Sequence, residues 1–170
     1  MKHAIGLIAA LMISTAAHAH GVTEGNIEII HPNIPQPAAG AKTAGGYMGI
    51  SNSGAEADRL IDVETGAADK AELHISEIDA NGVSTMRHLP DGIEIPAGET
   101  VVLERGGLHV MLMGLTGTLT EGDMVKATLV FEHAGKVEME FMVDPPGGED
   151  HSKMDHSGMD HSDMDHSATE

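Results

Sequence analysis

Residues 123–143 read DMVKATLVFEHAGKVEMEFMV and contain two apolar segments separated by a short loop. Segments 123–131 and 136–143 have the length of β-strands, and His133-Ala134-Gly135 between them is typical of a turn. The stretch therefore predicts a pair of neighbouring strands.

The same alternation of short strands and turns extends back to residue 22, and no segment shows a long helical period. We expect the strand 27–30 to end at His31-Pro32-Asn33, and Asn81-Gly82 strongly favours a hairpin turn. Many short strands at regular spacing predict an all-β sandwich or barrel. The remaining predicted strands are 46–52, 59–64, 70–75, 83–88, 93–95, 100–103 and 108–113.

The start of the chain has the three parts of a secretory signal peptide. Lys2 is basic, residues 4–17 are apolar, and Ala17-His18-Ala19 matches a small-x-small cleavage site. We therefore expect a signal peptide over 1–19, a mature protein that begins at His20, and a periplasmic location without membrane insertion. A buried N-terminal helix is the alternative interpretation.

The end of the chain has a different composition. Pro145-Pro146-Gly147-Gly148 predicts a linker, and a unit of the form His-Ser-x-Met-Asp then repeats every five residues. Apart from Met, this segment has almost no apolar residues, so we expect a flexible tail over 144–170 that is disordered without metal. The predicted β-domain is 20–143.

Composition excludes several classes of function. The sequence contains no Cys, which excludes disulfides, thiolate metal sites and thiol chemistry. A formal net charge of −18 argues against nucleic-acid partners and favours cations. We expect a monomer. The informative excess is 12 His and 12 Met in 170 residues.

The segment His109-Val110-Met111-Leu112-Met113 carries the clearest chemistry. Alternate residues of a strand share a face, so His109, Met111 and Met113 would point the same way. Imidazole and thioether donors suit Cu(I) better than Mg²⁺, Ca²⁺ or Zn²⁺. The alternatives are core packing for the Met side chains and an ordinary hydrogen-bonded role for His109.

A hairpin through Asn81-Gly82 can bring His74 and Met86 near one another. With His109 and Met111 they would supply three or four ligands to Cu(I). His88 could share the face of Met86, but a solvated histidine at a strand end is the favoured interpretation.

Taken together, these motifs resemble the periplasmic PCu(A)C copper chaperone family over residues 22–143. The resemblance implies a cupredoxin-like Greek-key β-sandwich with a Cu(I) site at His74, Met86, His109 and Met111. It also implies delivery of copper to the CuA site of cytochrome c oxidase, often together with a Sco-type thiol protein. The matching stretches are Ala71-Glu72-Leu73-His74, Gly82-Val83, Met86-Arg87, Ile95-Pro96-Ala97-Gly98 and residues 106–115.

The chain departs from the family pattern at two places. These departures affect the surface that would meet a partner, and therefore the identity of the protein that accepts the copper. Family members often carry extra Met near the first His and ahead of the Met position, where this chain has Ile75, Ser76, Ile78 and Ser84. Many also carry Trp where this chain has His31-Pro32-Asn33.

The tail repeat predicts a second metal-binding region. Imidazole and carboxylate suit Cu(II), whereas thioether suits Cu(I). A solvated acidic tail and an added purification tag are the alternatives. His20, with its α-amine, could also chelate Cu(II). The candidate tail ligands are His151, Met154, His156, Met159, His161, Met164 and His166.

The composition and motifs lead to a metallochaperone hypothesis, with no catalytic activity of its own. The alternative is a periplasmic buffering or resistance protein that sequesters copper without delivering it. A copper oxidase or monooxygenase using His20 is disfavoured, because no second set of His is placed to complete such a site.

Overall fold

The structure is a computed structural model that describes residues 21–147, and every regular element in this range is a β-strand. The predicted signal peptide, His20 and the tail beyond residue 147 lie outside the described residues. Within residues 21–147 there is no helix long and apolar enough to span a membrane. The strands are β1 (Gly21–Glu24), β2 (Ile27–Pro35), β3 (Thr43–Asn52), β4 (Asp58–Thr65), β5 (Ala68–Ile78), β6 (Ser84–His88), β7 (Ile93–Ile95), β8 (Thr100–Leu103), β9 (Leu108–Leu115), β10 (Met124–Phe131) and β11 (Lys136–Asp144).

The strand order is β6-β5-β9-β3-β2-β11-β10-β4-β7, with β1 beside β2 and β8 beside β3. Strand β3 joins two sheets: residues 43–46 pair with β9, whereas residues 47–52 pair with β2. A strand that changes sheets in this way makes a corner of a sandwich. The smaller sheet therefore contains β6, β5, β9 and the first half of β3, and the all-β prediction is confirmed.

The core forms because the strands alternate buried and exposed residues. In β11, Val137, Met139, Phe141 and Val143 are buried, and the residues between them face outward. Phe141 reaches the corner of β3, where a Cβ on Gly46 would lie 3.0 Å from its ring. Glycine at this position lets the aromatic ring pack directly against the backbone of β3.

The prediction that the first strand ends at residue 31 is wrong. Strand β2 continues to Pro35 through an irregularity between Ile30 and Asn33, where His31 has a φ of 47°. A β-bulge accommodates Pro32, whose missing N–H would otherwise interrupt the ladder. Pairing then resumes at Asn33, which lies opposite Met142 in the parallel pair of β2 and β11.

Asp58 ties the start of β4 to the β10–β11 turn. Its carboxylate accepts N–H bonds from Arg59 (2.7 Å), His133 (2.9 Å) and Ala134 (2.8 Å), and the residue is 7% exposed. Burial by itself raises the pKa of Asp58, but the three backbone donors outweigh that effect and the net pKa is lowered.

We expect Asp58→Asn to lower the free energy of unfolding at pH 7 by about 1–3 kcal/mol, because an amide cannot accept all three bonds. The folded-state pKa of Asp58 is depressed, so its stabilisation is present above the ordinary carboxyl pKa and is lost as pH falls through the folded value. Denaturant unfolding followed by circular dichroism between pH 7 and pH 3 measures both effects. Asp91→Asn, in an exposed turn, is the control, and equal losses in the two variants would contradict the prediction.

Candidate metal centre

Three histidines lie side by side on the outer face of the smaller sheet. His88 of β6 is directly opposite His74 of β5, and His74 is directly opposite His109 of β9. Their strand neighbours Leu73 and Val110 are buried in the core, so the imidazoles occupy the other face. Ring centroids are 5.6 Å apart for His74 and His88 and 5.8 Å apart for His74 and His109. We call these three residues the histidine row.

The predicted thioether ligands flank this row at different depths. Met111 follows His109 by two residues on β9 and is partly buried, whereas Met86 on β6 is 55% exposed. Met86 pairs with Ser76 and not with His74, so it approaches His74 along a diagonal, for which residue separations are about 7–8 Å and Cβ separations somewhat less. The structure thus places His74, Met86, His109 and Met111 on one face of the smaller sheet, with Met86 at its edge.

His109 is 4% exposed and has one committed ring nitrogen. Its Nδ1 lies 3.0 Å from the carbonyl oxygen of Gly107. A carbonyl oxygen only accepts, so Nδ1 carries the proton and donates, which leaves the lone pair on Nε2. An ordinary hydrogen-bonded role therefore accounts for only one side of this ring.

His74 is oriented by a charged pair on its own strand. Its Nε2 lies 2.9 Å from Oε2 of Glu72, and the ammonium of Lys70 contacts Oε1 of the same carboxylate. Lys70 first, and His74 second, lower the pKa of Glu72 to about 2. Because an ionised carboxylate only accepts, His74 Nε2 carries the proton. Its Nδ1 is buried and has no hydrogen-bond partner among the described residues.

Tyr47 borders the site on β3. Its ring centroid lies 6.4 Å from that of His109, and the Arg105 guanidinium carbon lies 6.0 Å from the Tyr47 ring centroid. A Cβ on Gly45 would lie 2.6 Å from the Tyr47 hydroxyl oxygen, so the side chain passes directly over Gly45, the strand partner of Met111. Glycine at this position allows the phenol to cover that flank.

Sequence reasoning missed Glu72 and Tyr47, whereas His88 is an exposed residue at the end of β6, as predicted. Glu72 precedes His74 by two residues, a spacing that puts both on one strand face and that could have revealed the pair. Tyr47 carries no comparable signal, because its position beside His109 depends on the pairing of β3 with β9.

The donor set on this face consists of imidazole and thioether. Within residues 21–147, no three His, Asp or Glu side chains already converge on one point as the ligands of a bound metal ion do. Thioether sulfur with imidazole nitrogen is a soft donor set, which favours Cu(I) over the oxygen-seeking Mg²⁺ and Ca²⁺. The predicted ligands His151, Met154, His156, Met159, His161, Met164 and His166, and also His20, lie outside the described residues.

Comparison with known proteins places this chain in a family. Residues 27–143 match the family described as "Putative lipoprotein LpqE-like". The chain belongs to this family. A curated relative, "Putative lipoprotein Lxx21020" of Leifsonia xyli subsp. xyli, is 35% identical over 94 residues, which is 55% of this chain and 56% of the relative. The chain thus spans about half the length of that LpqE-like relative.

Solved structures give the architecture of this LpqE-like chain. The "Copper-bound PCuAC domain from PmoF2" is 31% identical with a TM-score of 0.63, covering 75% of this chain and 99% of that one. The "Apo PCuAC domain from PmoF1" is 29% identical with a TM-score of 0.61, covering 75% and 100%. CuI-DR1885 of Deinococcus radiodurans, at 24% identity, a TM-score of 0.56 and coverage of 77% and 85%, shares the fold. The predicted PCu(A)C resemblance and cupredoxin-like Greek-key sandwich are confirmed.

Proposed function

We propose that this protein is a copper metallochaperone that binds Cu(I) through His74, His109, Met111 and Met86. The observation that carries the proposal is the pair of adjacent imidazoles, each with one nitrogen engaged by the protein and one uncommitted, beside thioether sulfur. Orienting bonds of this kind are what metal-binding histidines use to fix their tautomer. Similarity to a copper-bound PCuAC domain supports the choice of metal.

The exposed edge of the site suits transfer. Every residue of β6 is exposed, and β6 is the last strand of its sheet, so a partner can approach Met86 without displacing the core. Partner ligands can then replace Met86 before they reach the more buried His109 and Met111. Thioethers also hold Cu(I) without forming disulfides in an oxidising compartment.

We propose the periplasm as the place of action, with export by the predicted signal peptide. Relatives carry the name lipoprotein. That name is consistent with an exported, envelope-associated protein and supports the proposal.

The proposed acceptors are the CuA subunit of cytochrome c oxidase and a Sco-type protein, and the test is direct transfer. The exported protein, loaded with one Cu(I), is mixed with the apo CuA domain and separated by charge, and copper is measured in each fraction. Transfer to the acceptor supports a chaperone. Retention of copper by this chain would favour the buffering alternative, to which the His-Ser-x-Met-Asp repeat is equally suited.

Measurements of the core site require the other donors to be silenced. We define the core-only variant as the full chain in which His20 and the tail residues His151, Met154, His156, Met159, His161, Met164 and His166 are replaced by Ala. None of these substitutions lies within residues 21–147, so the sequence of the strands and of the face described above is the same in this variant.

In the core-only variant, Glu72→Gln is expected to weaken Cu(I) binding about tenfold, because partners that orient a ligand typically contribute 10–100-fold. The neutral amide orients His74 less firmly than the carboxylate that Lys70 holds in place. Competition with a chromophoric Cu(I) chelator gives the affinity. Glu77→Gln is the matched control, because Glu77 is exposed on the same strand and pairs only loosely with Arg87, at 3.7 Å. A lower melting temperature of the apo protein with unchanged Cu(I) affinity would restrict Glu72 to a structural role.

A further inference from the structure

His88 occupies a position that the proposed Cu(I) ligand set does not use. It follows Met86 by two residues on β6, so both side chains lie on the face that carries the metal centre. Met86 pairs with Ser76, whereas His88 pairs directly with His74, and the His88 ring is 5.6 Å from the His74 ring. Strand β6 therefore offers two chemically different donors beside the same central imidazole.

These two donors suit different oxidation states of copper. Thioether sulfur is a soft ligand that favours Cu(I), whereas Cu(II) prefers imidazole nitrogen and oxygen. Exchanging Met86 for His88 changes the set from two imidazoles with two thioethers to three imidazoles with one thioether, that of Met111. We infer that the same site also takes up Cu(II), with His74, His88 and His109 as its nitrogen donors. This inference rests on the proposed copper-binding function and extends it to a second copper species.

The spacing of the three rings shows which residue must move. The three rings form an open row, with centroid spacings of 5.6 and 5.8 Å, so they do not yet surround one point. His88 is exposed on an edge strand, and its side chain can rotate toward His74 without disturbing the core. The buried Nδ1 of His74, in the middle of the row, has no hydrogen-bond partner among residues 21–147 and can become a ligand without breaking a hydrogen bond.

The local charge also suits a divalent ion. The Glu72 carboxylate lies directly beside His74, with its Oε2 2.9 Å from His74 Nε2. Lys70 already pairs with one of its oxygens, so the carboxylate compensates only part of the charge of Cu(II). Glu72 remains an orienting residue here, and the nitrogen donors are the three imidazoles.

The test is electron paramagnetic resonance of the core-only variant after addition of one equivalent of Cu(II) as its sulfate. We expect nitrogen couplings from three imidazoles. In the same background, His88→Ala should leave nitrogen couplings from only two imidazoles, and it should lower the Cu(II) affinity about tenfold or more. His88→Gln, which keeps a polar side chain, should behave like His88→Ala. His133→Ala removes an exposed turn imidazole and should change neither the spectrum nor the affinity.

A Cu(II) spectrum and affinity that are the same with and without His88 would overturn the inference. Cu(I) affinity, measured on the same proteins, separates this result from failure of the proposed function. His88→Ala should leave Cu(I) affinity within about threefold, because Met86 and Met111 remain. If the core-only variant with no further substitution did not bind Cu(I), the copper site as a whole would be rejected, and this inference with it.

Discussion

A His109→Gln substitution in the core-only variant is expected to lower Cu(I) affinity by more than about 100-fold, since residues that merely orient a ligand already contribute 10–100-fold. His109 is the most buried of the proposed donors, at 4% exposed, and its Nδ1–H bond to Gly107 leaves the Nε2 lone pair for the proposed Cu(I). Glutamine keeps a polar side chain that can still donate to that carbonyl, while it removes the imidazole nitrogen. Competition with a chromophoric Cu(I) chelator measures the loss.

The sulfur side of the site provides a matched pair of variants. Met111→Leu keeps the volume and the burial and removes the sulfur, so it should weaken Cu(I) binding with little effect on stability. Met113→Leu is the control, because Met113 lies on the same strand and face as Met111. It pairs with Lys70 and is two residues farther along the strand from His109 than Met111 is. If both leucine variants and His109→Gln bound Cu(I) like the parent, copper would have to bind elsewhere and the assignment of this face would be wrong.

Sequence periodicity was sufficient to predict most of the strands and the shared face of His109 and Met111, because both depend only on local alternation. It could not predict how β5 and β6 align. A two-residue turn at Asn81-Gly82 would pair Ala80 with Val83, which would put Met86 on the face away from His74. A shift of one residue reverses every side chain of such a strand.

The observed loop avoids that outcome through the Asp79 side chain. Asp79 Oδ1 accepts the N–H groups of Asn81 at 2.8 Å and Val83 at 2.9 Å, and Ile78 pairs with Ser84. The loop is therefore longer than a two-residue turn, and Met86 and His88 face the same side as His74. Asn81-Gly82 correctly marks the turn, with Gly82 at a φ of 79°, but the register depends on Asp79.

Long-range placement explains the other differences. The continuation of β2 past Pro32 depends on its parallel pairing with β11, which lies more than 100 residues away in sequence. Tyr47 becomes part of the site only through the pairing that places it beside His109 of β9, whereas Glu72 contacts His74 two residues away on its own strand. Local patterns contain no information about pairings between distant strands. Residue type and spacing were enough to single out His74, Met86, His109 and Met111 as candidate ligands, and the resemblance to a known family implied the same four.

Gly92 is packed directly against the backbone of a neighbouring strand, so an alanine at this position would clash with atoms that cannot easily move. Its φ is 78°, and a Cβ there would lie 2.2 Å from the carbonyl oxygen of Leu60 and 3.1 Å from the Cα of Ile61. Both neighbours are backbone atoms of β4, which pairs with β7 immediately after the glycine. Neither can move aside as the end of a flexible side chain would, so β4 and the β6–β7 connection must separate.

We expect Gly92→Ala to lower the free energy of unfolding by about 3 kcal/mol or more, combining left-handed backbone strain with the displacement of β4. Gly98→Ala is the matched control, because Gly98 has a φ of 73° but nothing within 4 Å of its Cβ position. Gly98→Ala should lower the free energy of unfolding by only about 1 kcal/mol, because only the left-handed backbone conformation is then penalised. Denaturant unfolding of the two variants, followed by circular dichroism, isolates the contribution of the close approach. Equal losses of stability in the two variants would contradict the prediction. They would mean that β4 moves aside without a measurable loss of free energy, so that the close approach of Gly92 to Leu60 adds nothing to the effect of the backbone angle.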